Sequence, residues 1–88
     1  MATDNSKLLS SKALEGKAII GSERVLKELK AGRLGTVFLA RNCLQKVKDD
    51  VQYYAQLAHV PVIQLEQSNE EIGVLCKKNF FISVAGIA

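Results

Sequence analysis

Four short apolar runs punctuate the chain, and amphipathic stretches fill the intervals between them. The runs are residues 17–20 (KAII), 36–40 (TVFLA), 62–65 (VIQL) and 80–87 (FFISVAGI). Runs of this length, bounded by glycine, proline or polar residues, predict strands. The intervals carry apolar residues at spacings of three and four, which predicts helices with one buried face. Leu8, Leu9, Ala13 and Leu14 mark the first helix, which Gly16 ends; residues 1–6 are expected to fray. Val25, Leu26 and Leu29 mark the second, closed by Ala31-Gly32. Leu44, Val47, Val51, Tyr54, Ala55 and Ala58 mark the third, broken at His59-Val60-Pro61. Ile72 and Leu75 mark a short fourth, with Lys77 and Lys78 at its negative end.

The resulting order, αβαβαβαβ, predicts a single α/β domain over residues 1–88. It is a three-layer α/β/α sandwich around a four-stranded mixed sheet. Helical crossovers make the first three strands parallel. The fourth is expected to return antiparallel at a sheet edge, with one of Phe80 and Phe81 in the core and the other outside. Three helix starts carry capping candidates: Ser22, Asn42 with Gln45, and Ser68 with Glu71.

In such a sheet the strand–helix junctions gather at one end, where ligands bind. The junctions here are Gly21-Ser22-Glu23-Arg24, Arg41-Asn42, Glu66-Gln67-Ser68-Asn69 and Lys77-Lys78-Asn79-Phe80. The exposed amides of the second helix suit a phosphate, with Arg24, Lys27 and Arg41 beside them. Asn42 is suited to a base edge or a sugar, and Phe80 to an extruded base. Structured RNA matches this mixture, and the net charge of +3 permits an acidic partner. Each feature also has a plainer reading: Ser22 and Asn42 as caps, and Arg24, Lys27 and Lys30 as a solvated helix face.

Catalytic readings find less support. His59, the one histidine, sits at a helix end beside Pro61, which favours a structural role. Cys43 is expected in the first turn after Asn42, where the helix dipole lowers a thiol's pKa, but no second histidine completes a dyad. No zinc spacing links the two cysteines, and no phosphate-loop or dinucleotide glycine motif occurs. No catalytic residue, metal or cofactor is therefore expected. The start has no apolar leader and no run is long enough to span a bilayer, so a cytoplasmic chain with reduced thiols is expected, with neither membrane nor small-molecule substrate as partner.

The segments GSERVLKELKAG, TVFLARN, DDVQYYAQLAHVPV, NEEIGVLCKKNF and FISVAGI, in this order, resemble the L7Ae/L30e superfamily of kink-turn-binding ribosomal proteins. The resemblance covers residues 7–88 and is closest to the L30e branch. Its diagnostic pieces are Tyr53-Tyr54-Ala55 with the following Val60-Pro61, and Asn69-Glu70-Glu71-Ile72-Gly73. The resemblance implies a structural protein of the large ribosomal subunit that grips a sharply bent rRNA element, without enzymatic activity. It implies RNA contacts by Gly21, Ser22, Glu23, Arg24 and Lys27, by Asn42, by the loop Glu66, Gln67 and Ser68, and by Phe80. Arg41 and Lys78 join this set by position. Neighbouring ribosomal proteins are further partners open to such a chain, and its compact length fits an archaeal source.

Two positions depart from the family pattern. Glu23 stands where asparagine or lysine is usual, and a carboxylate cannot donate a hydrogen bond. Lys77 replaces a common glycine. Two alternatives therefore stand beside the ribosomal reading: a kink-turn protein of a guide-RNA particle, and a protein-interaction module on the same fold.

Overall fold

A computed structural model describes the backbone of residues 3–88 and the side chains from Lys7 onward. The elements are α1 (Thr3–Leu14), β1 (Ile19–Ile20), α2 (Ser22–Lys30), β2 (Thr36–Leu39), α3 (Gln45–Leu57), β3 (Val62–Gln64), α4 (Asn69–Leu75) and β4 (Val84–Ile87). The expected alternation is present. Helix α1 reaches back to Thr3, beyond the residues whose periodicity marks it; the fraying expected of Met1 and Ala2 lies outside the described residues.

The sheet order is β1-β4-β2-β3. Strands β2 and β3 are parallel, and β4 is antiparallel to both β1 and β2. Three strands therefore share one direction, as the helical crossovers require. The expectation of an edge position for the last strand is wrong: β4 lies in the interior, paired on both sides. All four of its residues are buried, and an unbroken apolar run belongs where both faces of a strand are covered.

Strand alternation sorts the core into two layers. Val37, Leu39 and Val84 pack with Val25 and Leu29 of α2 and Val51 and Ala55 of α3. Phe38, Ala85 and Ile87 pack on the other face with Leu9 of α1 and Ile72 of α4. Burying each large apolar side chain contributes roughly 1.5–3 kcal/mol, so the two layers hold the sheet ends in place.

All four helices end on one backbone motif. The amide two residues past each C-cap returns to a carbonyl in the last turn: Lys17 to Lys12 (2.9 Å), Arg33 to Glu28 (3.0 Å), Val60 to Ala55 (2.8 Å) and Lys78 to Gly73 (2.9 Å). This closure needs a left-handed residue just after the cap. Glycines serve in α1 and α2, whereas His59 (φ 58°) and Lys77 (φ 56°) serve in α3 and α4. His59 thus has a structural position. Lys77 holds a conformation that costs a non-glycine residue about 1–2 kcal/mol. Lys77→Gly relieves that cost while adding unfolded-state entropy, so it is expected to stabilise the fold by about 0.5–1 kcal/mol. A rise in the urea midpoint at unchanged slope is the expected result.

Candidate nucleic-acid interface

Because β4 runs against its neighbours, the loop that enters it lies beside the loops that leave β1 and β2. Hydrogen bonds tie these loops together. The Gly21 amide donates to the Val84 carbonyl (3.0 Å), and the Ala40 amide donates to Ser83 (2.8 Å). The Arg41 amide donates to Gln67 (2.8 Å), and the Ile82 amide donates to Asn69 (3.0 Å). The four expected junctions thus occupy one end of the sheet.

Asn42 is the clasp between the second and third junctions. Its Oδ1 accepts from the Asn69 amide (2.8 Å), and its Nδ2 donates to Asn69 Oδ1 (3.1 Å). Asn42 is not the expected cap of α3: that helix starts at Gln45, with Leu44 at the N-cap and no side-chain cap. The Gln45 side chain instead donates from Nε2 to Asp49 Oδ1 (2.6 Å). Cys43 therefore precedes the helix and gains nothing from its dipole; burial pushes its thiol pKa up, the reverse of the expected shift.

Ser22 also differs from its expected capping role. It is the first residue of α2, and the N-cap is Gly21 (φ 105°, ψ 143°). Side chains other than glycine's rarely tolerate that backbone. Ser68, by contrast, does cap α4 as expected. Its Oγ accepts from the Glu71 amide (3.3 Å), and Glu71 Oε1 accepts from the Ser68 amide (3.0 Å). The hydrogen bonds from Ser68 hold the Glu71 carboxyl below the usual carboxylate range, with the Arg41 guanidinium adding to the effect. Arg41 Nη2 lies 3.9 Å from Glu71 Oε1 in an exposed pair, which binds weakly and leaves the guanidinium available.

Gly21, Ser22, Arg24, Lys78 and Phe80 line one groove of about 500 Å³. Its walls also include Leu44, read from sequence only as a helix position, Phe81, read only as a strand position, and Ser83. Phe80 and Phe81 are 52% and 66% exposed. The expected division into one core and one outer ring fails because β4 starts only at Val84; Ile82 supplies the buried side chain instead. The loop carrying both rings crosses α4 at Gly73, where a Cβ would overlap the Phe80 carbonyl.

The other nominated residues lie around the groove. Glu23 is exposed in the first turn of α2, where its charge complements the helix dipole. Lys27 is a turn further along. It lines a separate notch of about 200 Å³ with Arg24, Glu28 and Arg33, so Arg24 joins the two. Gln67 borders a shallow depression with Glu70, Glu71 and Val74, beyond the clasp. Glu66 is exposed in the same loop. Most of the nominated residues thus fall in three recesses: a cationic and aromatic groove between α2 and the loop before β4, a notch on α2, and a depression at α4 that Glu70 and Glu71 make acidic.

Asn42→Ala removes the clasp and leaves the Asn69 amide without its partner. It is expected to cost about 0.5–2 kcal/mol in thermal melts while leaving the far-ultraviolet helical signal intact; loss of α3 would instead indicate a cap. Gly73→Ala forces the Phe80 loop off α4, with an expected cost of about 1–3 kcal/mol. Amide shifts confined to residues 78–83 and α4 would mark that displacement.

The family model described as the ribosomal protein L7Ae/L30e/S12e/Gadd45 family matches residues 4–88. The large ribosomal subunit protein eL30 of Sulfurisphaera tokodaii is 39% identical over 72 residues, covering 82% of this chain and 68% of that protein. The eL30 protein of Methanocaldococcus jannaschii is 38% identical over 77 residues, covering 88% and 70%. The solved structure of the Giardia lamblia 15.5kD RNA binding protein has a TM-score of 0.83 at 18% identity, over 98% of this chain and 72% of that one. A protein with unknown function from Bacillus halodurans C has a TM-score of 0.85 at 21% identity, over 93% and 81%. The structural likenesses establish a common fold. The family match and the eL30 identities go further and agree with the resemblance read from the segments: the chain belongs to the ribosomal protein L7Ae/L30e/S12e/Gadd45 family.

Proposed function

We propose that this protein is a structural RNA-binding component of the large ribosomal subunit, working in the cytoplasm on a kink-turn or kink-turn-like element of rRNA. The observation that carries the reading is the groove, where α2 and the loop before β4 supply Arg24, Lys78 and Phe80 around one cleft. An RNA bend offers what such a cleft accepts: phosphates on a rigid path beside bases that have left their stack. Arg24 and Lys27 neutralise phosphates along α2, and Arg41 and Lys78 do so from the loops. Phe80 packs on an extruded base or ribose. Asn42 acts through the clasp, holding two loops in register, with its side-chain amide already engaged by Asn69. Binding and positioning need no proton transfer, metal or cofactor, so no catalytic role is assigned. The relatives named as large ribosomal subunit proteins support the ribosomal setting.

Glu23 favours one second reading, a protein-interaction module on the same fold. An exposed carboxylate at the start of α2 repels phosphate where RNA would approach.

The deciding experiment is a titration of the full chain with a kink-turn RNA and with a variant lacking its sheared G·A pairs. The proposal predicts tighter binding to the intact kink-turn and affinity that falls with salt. Lys27→Ala is expected to lower the salt slope by about 1. Equal affinity for the two RNAs, or none for either, would transfer support to the interaction module.

A further inference from the structure

Helix α4 leaves one whole stripe uncovered. Ile72 and Cys76 turn into the core, and Gly73 sits under the loop before β4. Glu70, Glu71, Val74 and Leu75 recur three and four residues apart, which puts them on one outer face. With Gln67 they line a shallow depression of about 400 Å³. Val74 stands 70% exposed at its apolar end. The Ser10 hydroxyl donates to the Leu75 carbonyl (2.9 Å) and braces that end against α1. The other end is acidic. Glu70 has no ion-pair partner among the described residues. Glu71 commits Oε1 to the Ser68 amide (3.0 Å) and, at 3.9 Å, to Arg41, while Oε2 has no partner among them. Complementing the helix dipole explains carboxylates in a first turn. It does not explain an exposed valine one turn further along the same stripe.

The ridge of side chains on such a stripe fits the groove of another helix, and its charge selects which one. We propose that the outer face of α4 docks a basic amphipathic helix of a protein partner, its apolar residues on Val74 and Leu75 and its lysines or arginines on Glu70 and Glu71. Basic residues suit the last turn of a helix, so the partner runs antiparallel to α4, with its C-terminal turn against Glu70. A second copy of the same stripe brings carboxylates and no cation, and an RNA strand brings phosphates; neither complements this charge. The depression shares no lining residue with the groove, so the partner and an RNA in the groove can be held together.

The test titrates the full chain, isotope-labelled, with an alanine-based peptide of about 16 residues, near the shortest length that holds a helix in water. Leucines three and four apart occupy its first half, and lysines its second. A companion peptide carries glutamate in place of lysine. Amide shifts from the lysine peptide are expected at residues 67–75, with a Kd of about 0.1–1 mM. Val74→Ala is expected to weaken binding about 3- to 15-fold, the upper value being two buried methyl groups. Glu70→Lys removes one exposed pair and adds a repulsion, for a loss of about 2- to 25-fold. The glutamate peptide should reverse that order and bind the Glu70→Lys chain more tightly than the native one. Both positions are on the surface, and thermal melts check that the variants fold.

No shifts at about 5 mM lysine peptide, or equal affinity of the two peptides for the native chain, would overturn the proposal. Two other results would do the same. Shifts in α4 that grow with the chain's own concentration would assign the face to a second copy, and displacement of the peptide by a kink-turn RNA would assign it to RNA.

Discussion

An antiparallel strand set between parallel ones is the constraint from which the rest follows. In a wholly parallel sheet, the loop entering a strand and the loops leaving its neighbours lie at opposite ends. Strand β4 reverses that for itself: its leading loop emerges between those that follow β1 and β2. Residues far apart in sequence are thereby held side by side, and backbone hydrogen bonds such as those of Gly21 to Val84 and Ala40 to Ser83 lock them. The groove is therefore built largely by the backbone. Side chains decide what it attracts.

Charge follows the same topology. The surplus of +3 is too small to draw an anion by itself, so its distribution matters. Arg24 and Lys27 lie along α2, Arg33 follows its end and pairs with Glu28 (3.5 Å), and Lys78 lies across the groove. Glu70 and Glu71 lie in the first turn of α4, next to Asn69 of the clasp, with Arg41 3.9 Å from Glu71.

The fold was legible where its causes are local. Periodicity of three and four located the helices, and the Ser68–Glu71 box was read correctly because both partners lie within one turn. Glycine marked two helix ends; Lys77 and His59 took the same conformation without that signal. The failures have non-local causes. Asn42 has a capping side chain in a plausible position, but its partner is Asn69, on another loop. Nothing in the neighbourhood of either residue announces the pair. Phe80 and Phe81 read as the start of a strand until Gly73 and α4 fix the loop before it. The interior place of β4 was readable in principle: an edge strand is normally blunted by charge, proline or bulges, and residues 84–87 carry no charge or proline. The position of the junctions was thus available from sequence. The second aromatic wall of the groove was not.

The central claim is that these loops form one prebuilt surface without RNA, and native-state hydrogen exchange tests it most directly. The account predicts that the amides of Gly21, Ala40, Arg41, Asn69 and Ile82, each a donor across the rim, exchange slowly, with opening free energies close to one another and to those of the core strands. Rapid exchange at unrelated rates, with the strands still protected, would contradict it and leave a set of independent loops that only a ligand could organise.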